Sequence, residues 1–272
     1  MRQQWYDPWQ VQAAGEAALS TAWTAAAPEL PADVAWIPAW LARAAELIAV
    51  YGTPEQVGYA DLQARITREL TWCAQAQQAQ AELQRTLIRP LYRRLYPECH
   101  LESIYGIGID SAAIYMAFIQ DITRFPSLKR FRSWCGMIPG SHQSGTFQAN
   151  HRPLTQAGPN LVKATLYLNA NVARQWDVQL AALYYRQMVQ YGKHHTQAVC
   201  ACASHLASRI YTVLTEHRPY ELRDLTQRPI TLQESRRMCL TKYQVPEEVR
   251  QRTRVRARQA RAAQRTERRF QP

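Results

Sequence analysis

The sequence has few acidic residues and no long apolar run. Its 21 Asp and Glu residues compare with 33 Lys and Arg residues, so the formal net charge is +12. No apolar stretch approaches the ~20 residues that a transmembrane helix needs, and no segment alternates apolar and polar residues as a half-buried strand does. These absences predict an all-α chain that does not cross a membrane. The excess of positive charge predicts a partner with dense negative charge, above all nucleic acid.

Cysteine pairs with metal-binding or redox spacing are also missing. The six cysteines form no CxxC pair, and no secretory leader precedes them, so we expect reduced thiols in a cytoplasmic protein. His194 and His195 are adjacent, but neighbouring positions on a helix point about 100° apart, and no Cys or His follows at zinc-finger spacing. We therefore predict no metal site in this chain.

Apolar residues recur at helical spacing along most of the chain. The pattern predicts helices at 11–27, 39–50, 110–122, 126–134, 160–176, 178–191 and 194–216. From residue 53 to 98, leucines and an isoleucine at roughly helical spacing predict a long helix or coiled-coil arm. Such an arm either dimerises or packs against its own domain. We predict an all-α fold, with a long helical arm followed by a helical domain.

Arginine is concentrated at the C-terminal end. Nine arginines and one glutamate lie between Arg250 and Arg269 and supply +8 of the net +12. This tail is predicted to be either a solvated helix or disordered, and its charge is typical of a segment that binds a phosphate backbone. Residues 218–245 show no periodicity, so we expect irregular structure there.

Two glycines, Gly106 and Gly108, separate apolar helical segments in "IYGIGIDSAA". The backbone N–H groups of such a hairpin, together with the N-terminus of the next helix, can hold a phosphate. The turn resembles the helix-hairpin-helix element, which binds DNA without reading its sequence. The alternative is a tight turn in which glycine supplies a positive φ.

A loop rich in serine and glycine, "GMIPGSHQSGT" at residues 136–146, contains Ser144 and Gly145. A serine hydroxyl is a poor nucleophile unless a neighbour takes or weakens its proton and another group stabilises the charge on the attacked centre. For a phosphodiester, that group is an arginine, a lysine, a metal ion or a backbone amide. Ordinary loop chemistry is the alternative use of a Ser-Gly pair.

Basic residues follow this serine. Arg152 lies in the same loop, Lys163 on the predicted helix 160–176, and Lys193 at the start of the predicted helix 194–216. A helix start prefers anions, so cations there indicate a bound phosphate; a solvated basic surface is the alternative. The helix 160–176 also carries an apolar stripe typical of a core face, formed by Leu161, Thr165, Leu168 and Val172.

Taken in order, these segments resemble the C-terminal transposase domain of the insertion-sequence-110 family of bacterial transposases. The matching residues include "GIG" at 106–108, "QSG" at 143–145 and "GK" at 192–193, within about residues 101–214. The resemblance implies that Ser144 is a nucleophile that joins covalently to DNA during transposition. We predict DNA contacts by Gly106, Gly108, Gly145, Arg152, Lys163, Lys193 and the tail.

The resemblance also implies features that this sequence does not show. Family members carry an N-terminal RuvC-like domain whose four acidic residues hold divalent metal, expected to be Mg²⁺, and a structured RNA guides them. No strands with carboxylates precede the arm, so we expect a truncated copy that needs a full-length partner or assembles as a homo-oligomer. Gln156 stands where relatives usually place lysine. We expect a cytoplasmic, nucleoid-associated bacterial protein.

These observations predict four segments and leave other functions open. The segments are an N-terminal helical remnant at 1–52, the arm at 53–98, the transposase C-terminal domain at 99–217, and an irregular segment with the Arg-rich tail at 218–272. One alternative function is a non-catalytic nucleic-acid-binding module that dimerises through its arm. Another is a plain helical interaction protein without affinity for nucleic acid.

Overall fold

The structure is a computed structural model that describes residues 7–26, 35–52, 56, 58–137, 143–144, 147–148 and 158–269. Among these residues, the regular secondary structure is helical apart from two strands of two residues each, which confirms the all-α prediction. The chain divides into two compact units, Met1–Leu83 and Gln84–Pro272. The four segments predicted from the sequence stay a prediction. Among the described helices, none is both long enough and apolar enough to cross a membrane.

The first unit contains the helices α1 (Pro8–Ala26), α2 (Ile37–Tyr51) and α3 (Tyr59–Leu83). Helices α1 and α2 pack together on a small buried core of Val11, Leu19, Ile37 and Ala44. The ring of Trp36 lies between those of Trp23 and Trp40, with centroid distances of 5.1 and 5.3 Å. Helix α1 is kinked at Gly15, whose φ is 69°.

The predicted long helical arm is present. Helix α3 is followed directly by a π turn at Gln84–Ile88 and by helix α4 at Arg89–Leu95, so residues 59–95 are helical throughout. Every residue from 71 to 83 is exposed. The apolar stripe predicted from the sequence therefore lies largely at the surface, where its exposed members are Leu62, Leu83, Leu87, Leu91 and Leu95. Pairing of this stripe in a coiled coil stays a prediction.

The second unit is built around one long central helix. Its further helices are α5 (Ile109–Ile119), α6 (Leu128–Trp134), α7 (Asn160–Ala173), α8 (Val178–Tyr185), α9 (His195–Glu216), α10 (Leu232–Lys242) and α11 (Glu247–Arg269). Helix α9 packs against α6, α7 and α8. Its fully buried residues carry the core of this unit, among them Val199, Cys202, Leu206 and Ile210. Predicted helix ends agree to within three residues, except that 178–191 is α-helical only to Tyr185 and continues as a π turn to Gln190.

The prediction of irregular structure at 218–245 was wrong for residues 232–242, which form α10. Thr231 and Glu234 make a reciprocal capping box: the Thr231 N–H donates to Glu234 Oε2 at 2.9 Å, and the Glu234 N–H donates to Thr231 Oγ1 at 3.2 Å. Two backbone donors at the helix start are thereby satisfied. The T-x-x-E spacing is visible in the sequence and could have identified this helix. The Arg-rich tail forms helix α11. A helix was one of the two structures predicted for it.

The apolar stripe of α7 does not face the core as predicted. Leu161, Leu168 and Val172 are 51, 63 and 43% exposed, and only Thr165 of that stripe is buried. The buried face carries instead Val162, Leu166, Ala170 and Ala173. Both faces have 3–4 residue spacing, so periodicity alone could not choose between them. Because the two alanines are small, α7 can approach its neighbours closely, and it contacts both α5 and α9.

A buried ion pair ties the segment after α9 to the helical core. Asp177 is 2% exposed, and its Oδ2 accepts hydrogen bonds from Arg209 Nε at 2.9 Å and from the Tyr220 hydroxyl at 2.7 Å. Its Oδ1 accepts from the N–H groups of Gln179 and Leu180, which caps α8. One carboxylate therefore joins the start of α8, the middle of α9 and the chain that leads to α10.

Candidate functional site

Ser144 lies at the end of a short strand, just before a two-residue connection. The strands Gln143–Ser144 and Phe147–Gln148 pair antiparallel, with Ser144 opposite Phe147. The loop predicted from composition therefore contains a small hairpin. Two predicted contacts from the same loop, Gly145 and Arg152, lie outside the described residues and stay predictions.

The segment that carries Ser144 is anchored at its base by Gly158. Gly158 has φ +79°, and a Cβ built on it would lie 1.9 Å from the carbonyl oxygen of Trp134 at the end of α6. No side chain fits at this distance, so glycine is required both for its conformation and for its close approach. Trp134 precedes the segment that contains Ser144, and Gly158 follows it. Because these two residues are in close contact, the chain leaves the helical core and returns to it at neighbouring positions.

The glycine turn before α5 packs against α7. Gly106 has φ +97°, and a Cβ built on it would lie 2.8 Å from both the Asn169 carbonyl oxygen and the Ala173 amide nitrogen. The side of the turn at Gly106 is therefore covered by helix backbone. This packing gives Gly106 the structural role that was the alternative to phosphate binding.

A carboxylate lies beside this turn. Gly108 is the N-cap of α5, and a Cβ built on it would meet nothing within 4 Å. Asp110, in the first turn, accepts hydrogen bonds from Arg89 Nε and Nη2, both at 2.8 Å. The hydrogen bond from Arg89 lowers the pKa of Asp110, so the two side chains form an ion pair at neutral pH. Phosphate binding at Gly106 and Gly108 stays a prediction, and a phosphate there would approach a carboxylate whose charge Arg89 offsets.

Lys163 and the glycine turn lie at opposite ends of α7. Lys163 is half-buried one turn after the helix start, and its N–H donates to the Pro159 carbonyl at 3.2 Å. Gly106 meets the same helix at Asn169 and Ala173. At 1.5 Å per residue, these points are ~9 to ~15 Å further along the axis than Lys163. The structure therefore does not bring these predicted DNA contacts into one pocket.

Lys193 lies beside a compact group of polar side chains at the start of α9. The guanidinium of Arg174 lies over the Tyr184 ring at 4.1 Å, and the Tyr184 hydroxyl is 2.7 Å from His195 Nδ1. The adjacent His194 caps α9, because its Nδ1 accepts from the Thr196 N–H at 3.3 Å. Lys193 was predicted at this helix start from the sequence, whereas no sequence pattern indicated the role of Tyr184 on the preceding helix α8.

The described residues do not fit the metal ion that the family resemblance implies. Within the part of the chain that the structure describes, no group of three or more His, Cys, Asp or Glu side chains could hold a metal ion. Mg²⁺ prefers carboxylates and waters in octahedral geometry, and Asp110 and Asp177 are each bound to an arginine instead.

Comparison with known proteins identifies the segment that holds these residues. Residues 99–186 match the family described as Transposase IS116/IS110/IS902 family. This segment is similar to the transposase domain of that family. The matched residues include Gly106, Ser144 and Lys163, whereas Lys193 follows them. The resemblance predicted from the sequence is thus confirmed. No solved structure matches the chain.

Individual relatives agree with this assignment. The 43.6 kDa protein of insertion element IS110 from Streptomyces coelicolor is 31% identical over 124 residues, which are 45% of this chain and 30% of the relative. The pilin gene-inverting protein of Moraxella lacunata is 26% identical over 123 residues, 45% of this chain and 38% of the relative. The 42 kDa protein of insertion element IS900 from Mycobacterium paratuberculosis is 29% identical over 119 residues, which are 43% of this chain and 29% of the relative. The matched region thus spans about a third of each of these relatives.

Proposed function

We propose that this chain acts in DNA transposition or recombination, binding DNA and joining it covalently through Ser144. The observation that carries the proposal is the match of residues 99–186 to a transposase family, because Ser144 lies within the match. One relative is named for inverting a pilin gene, which is a rearrangement of DNA. Ser144 lies in a strand paired with Phe147–Gln148, within a segment whose ends Trp134 and Gly158 bring together.

The proposed step is an exchange of phosphodiester bonds. The Ser144 oxygen forms a bond to phosphorus, the bond from phosphorus to one deoxyribose oxygen breaks, and the serine proton passes through solvent to the oxygen released. Positive charge near phosphorus stabilises the charge that develops. The predicted sources within the chain are Arg152, Lys163 and Lys193. The reverse attack by a deoxyribose hydroxyl releases Ser144 and completes strand exchange.

We further propose that the chain works in an assembly. The exposed apolar residues along 59–95 support pairing of two helical arms, because a solvated stripe of leucines gains free energy when it is buried. A full-length transposase partner would supply the Mg²⁺ expected for the family, and a structured RNA would guide target choice.

The test is formation of a covalent adduct between the purified chain and nicked duplex DNA, resolved on a denaturing gel. The chain is tested alone and mixed with a full-length family transposase whose corresponding serine is replaced by alanine, so that an adduct at 31.3 kDa plus DNA belongs to this chain. Ser144→Ala should abolish that adduct. Ser141→Ala, three residues away in the same loop, is the matched control and should retain it.

Two results would contradict the nucleophile. An adduct that survives Ser144→Ala would assign the chemistry to another residue. DNA binding without any adduct, alone or in the mixture, would favour the alternative of a non-catalytic module, which binds with steep salt dependence and little regard for sequence.

A further inference from the structure

Three arginines from two helices lie near the start of α9. Arg174 follows α7, Arg250 and Arg254 come from α11, and the charges of all three act on His195 at the start of α9. The end of α7 is joined to α9 through Tyr184, which contacts both Arg174 and His195. We call the three arginines and His195, together with Lys193 just before the N-cap of α9, the α9 cluster.

Helix α11 is attached to the domain at this place. It packs against the π turn at Arg186–Gln190, with Val249 against the main core and Thr253 only 3% exposed. On the same side, Arg256 Nη1 is 3.9 Å from the position that a Cβ on Gly192 would take. The first turns of α11 are therefore fixed beside the start of α9, although they are about 55 residues away in sequence.

The positive charge of the α9 cluster is not neutralised by the described carboxylates. In the part of the chain that the structure describes, Arg174, Lys193, Arg250 and Arg254 form no ion pair; the arginines that do are Arg43, Arg89, Arg93, Arg209, Arg218, Arg223 and Arg228. The Nε atom of Arg250 is buried and has no hydrogen-bond partner among these residues. A buried donor without a partner costs free energy.

The histidine in this cluster is sensitive to its charged surroundings. Burial lowers the pKa of His195, and the positive charges of Arg174, His194, Arg250 and Arg254 lower it further. The imidazole is therefore neutral at pH 7, with positive charges around it on α7, α9 and α11.

We propose that the α9 cluster binds a phosphate of a nucleic-acid backbone. Guanidinium groups bind phosphate oxygens through paired hydrogen bonds, and they do so better than an ammonium group. The N-terminus of α9, a helix of 22 residues, adds a favourable dipole at the same place. The cluster lies outside the matched transposase domain except for Arg174 and so adds a contact that the family assignment does not include. The identification of the anion as a nucleic acid rests on the proposed function.

Helix α11 extends this binding surface. Arg254 and Arg258 follow Arg250 at intervals of four residues, so the three lie on one helix face, and both Arg254 and Arg258 are exposed. The helix has 23 residues, or ~34 Å at 1.5 Å per residue, which is about one turn of duplex DNA. A backbone phosphate bound at the α9 cluster would thus align α11 with the nucleic-acid strand that continues from that phosphate.

Fluorescence anisotropy with the full chain and a labelled 30-base-pair DNA of arbitrary sequence tests the proposal. Arg174→Gln and Arg250→Gln should each weaken binding about tenfold at low salt, since each removes a charged hydrogen bond to phosphate. Each should also reduce the slope of log K against log salt by about one. The matched control is Arg43→Gln, which removes the same charge from an exposed pair in α2 and should change affinity less than twofold. A duplex RNA of the same sequence, run in parallel, identifies the preferred backbone.

A second measurement on the wild-type chain remains valid if a variant fails to fold. Saturating duplex should raise the pKa of His195, followed by NMR of its ring protons, because phosphate reverses the charge of its surroundings. Equal affinities for Arg174→Gln, Arg250→Gln and Arg43→Gln would overturn the proposal, and so would a His195 pKa that the duplex does not move. Neither measurement depends on the covalent adduct. Both therefore remain informative if Ser144 proves not to be the nucleophile.

Discussion

Gly158 lies directly against the carbonyl oxygen of Trp134. A Cβ on Gly158 would be 1.9 Å from that oxygen, and the φ of Gly158 is +79°. The pair joins the end of α6 to the start of α7 on either side of the serine segment. The two residues therefore bring together the ends of the segment that contains Ser144.

Replacement of Gly158 tests this dependence. Gly158→Ala should lower the free energy of unfolding by about 3 kcal/mol, because the side chain meets backbone and the left-handed conformation is strained. Urea unfolding measures the change. We also expect the Ser144 adduct to decrease under conditions where the variant is folded. A variant as stable as the wild type would show that the close contact between Gly158 and Trp134 can be lost without a change in the free energy of unfolding.

The glycine turn offers a comparison between neighbouring positions. Gly106→Ala should cost about 3 kcal/mol, since its Cβ would press on the backbone of α7 at positive φ. Gly108→Ser should leave stability within about 0.5 kcal/mol, because the position is open and serine is a good N-cap. Thermal unfolding of the two variants checks this contrast, and equal losses would contradict the packing role assigned to Gly106.

The buried carboxylate should matter more than the exposed ones. Asp177→Asn leaves the charge of Arg209 buried without its partner and should cost about 3–5 kcal/mol. Glu216→Gln breaks the exposed pair with Arg218 and should cost at most about 1 kcal/mol. Urea unfolding of both variants decides the matter. Similar small losses would mean that solvent reaches Arg209 in the folded protein.

Acid should destabilise the protein through His195. Its pKa is lowered in the folded state, whereas an unfolded histidine has a pKa of about 6.5. Below that pH the unfolded chain binds a proton that the folded chain does not, so stability falls as pH decreases toward the lowered folded pKa. Free energies of unfolding between pH 5 and 7.5 should show this decrease, and His195→Gln should reduce its slope. A slope unchanged by that variant would contradict the assignment to His195.

Much of the local structure could be predicted from the sequence. The starts and ends of helices depend on spacing and capping within about four residues, so α7 at Asn160 and α9 at His195 were predicted to within one residue at their starts. The T-x-x-E box at Thr231 contained the same kind of signal for α10. The ordered set of short motifs at 106–108, 143–145 and 192–193 was enough to predict the transposase family, which the match of residues 99–186 confirms.

The sequence by itself determined most of the helices, the excess of positive charge and the similarity of residues 99–186 to the transposase family. Only the tertiary structure decided which residues meet. The two faces of α7 have the same periodicity, and packing against α5 and α9 selected Val162 rather than Leu161 for the core. Likewise, no spacing rule relates His195 to Arg250, whose charge acts on His195 because α11 packs against the π turn before α9. Local interactions specify elements, whereas burial and charge between distant segments specify how a site is assembled.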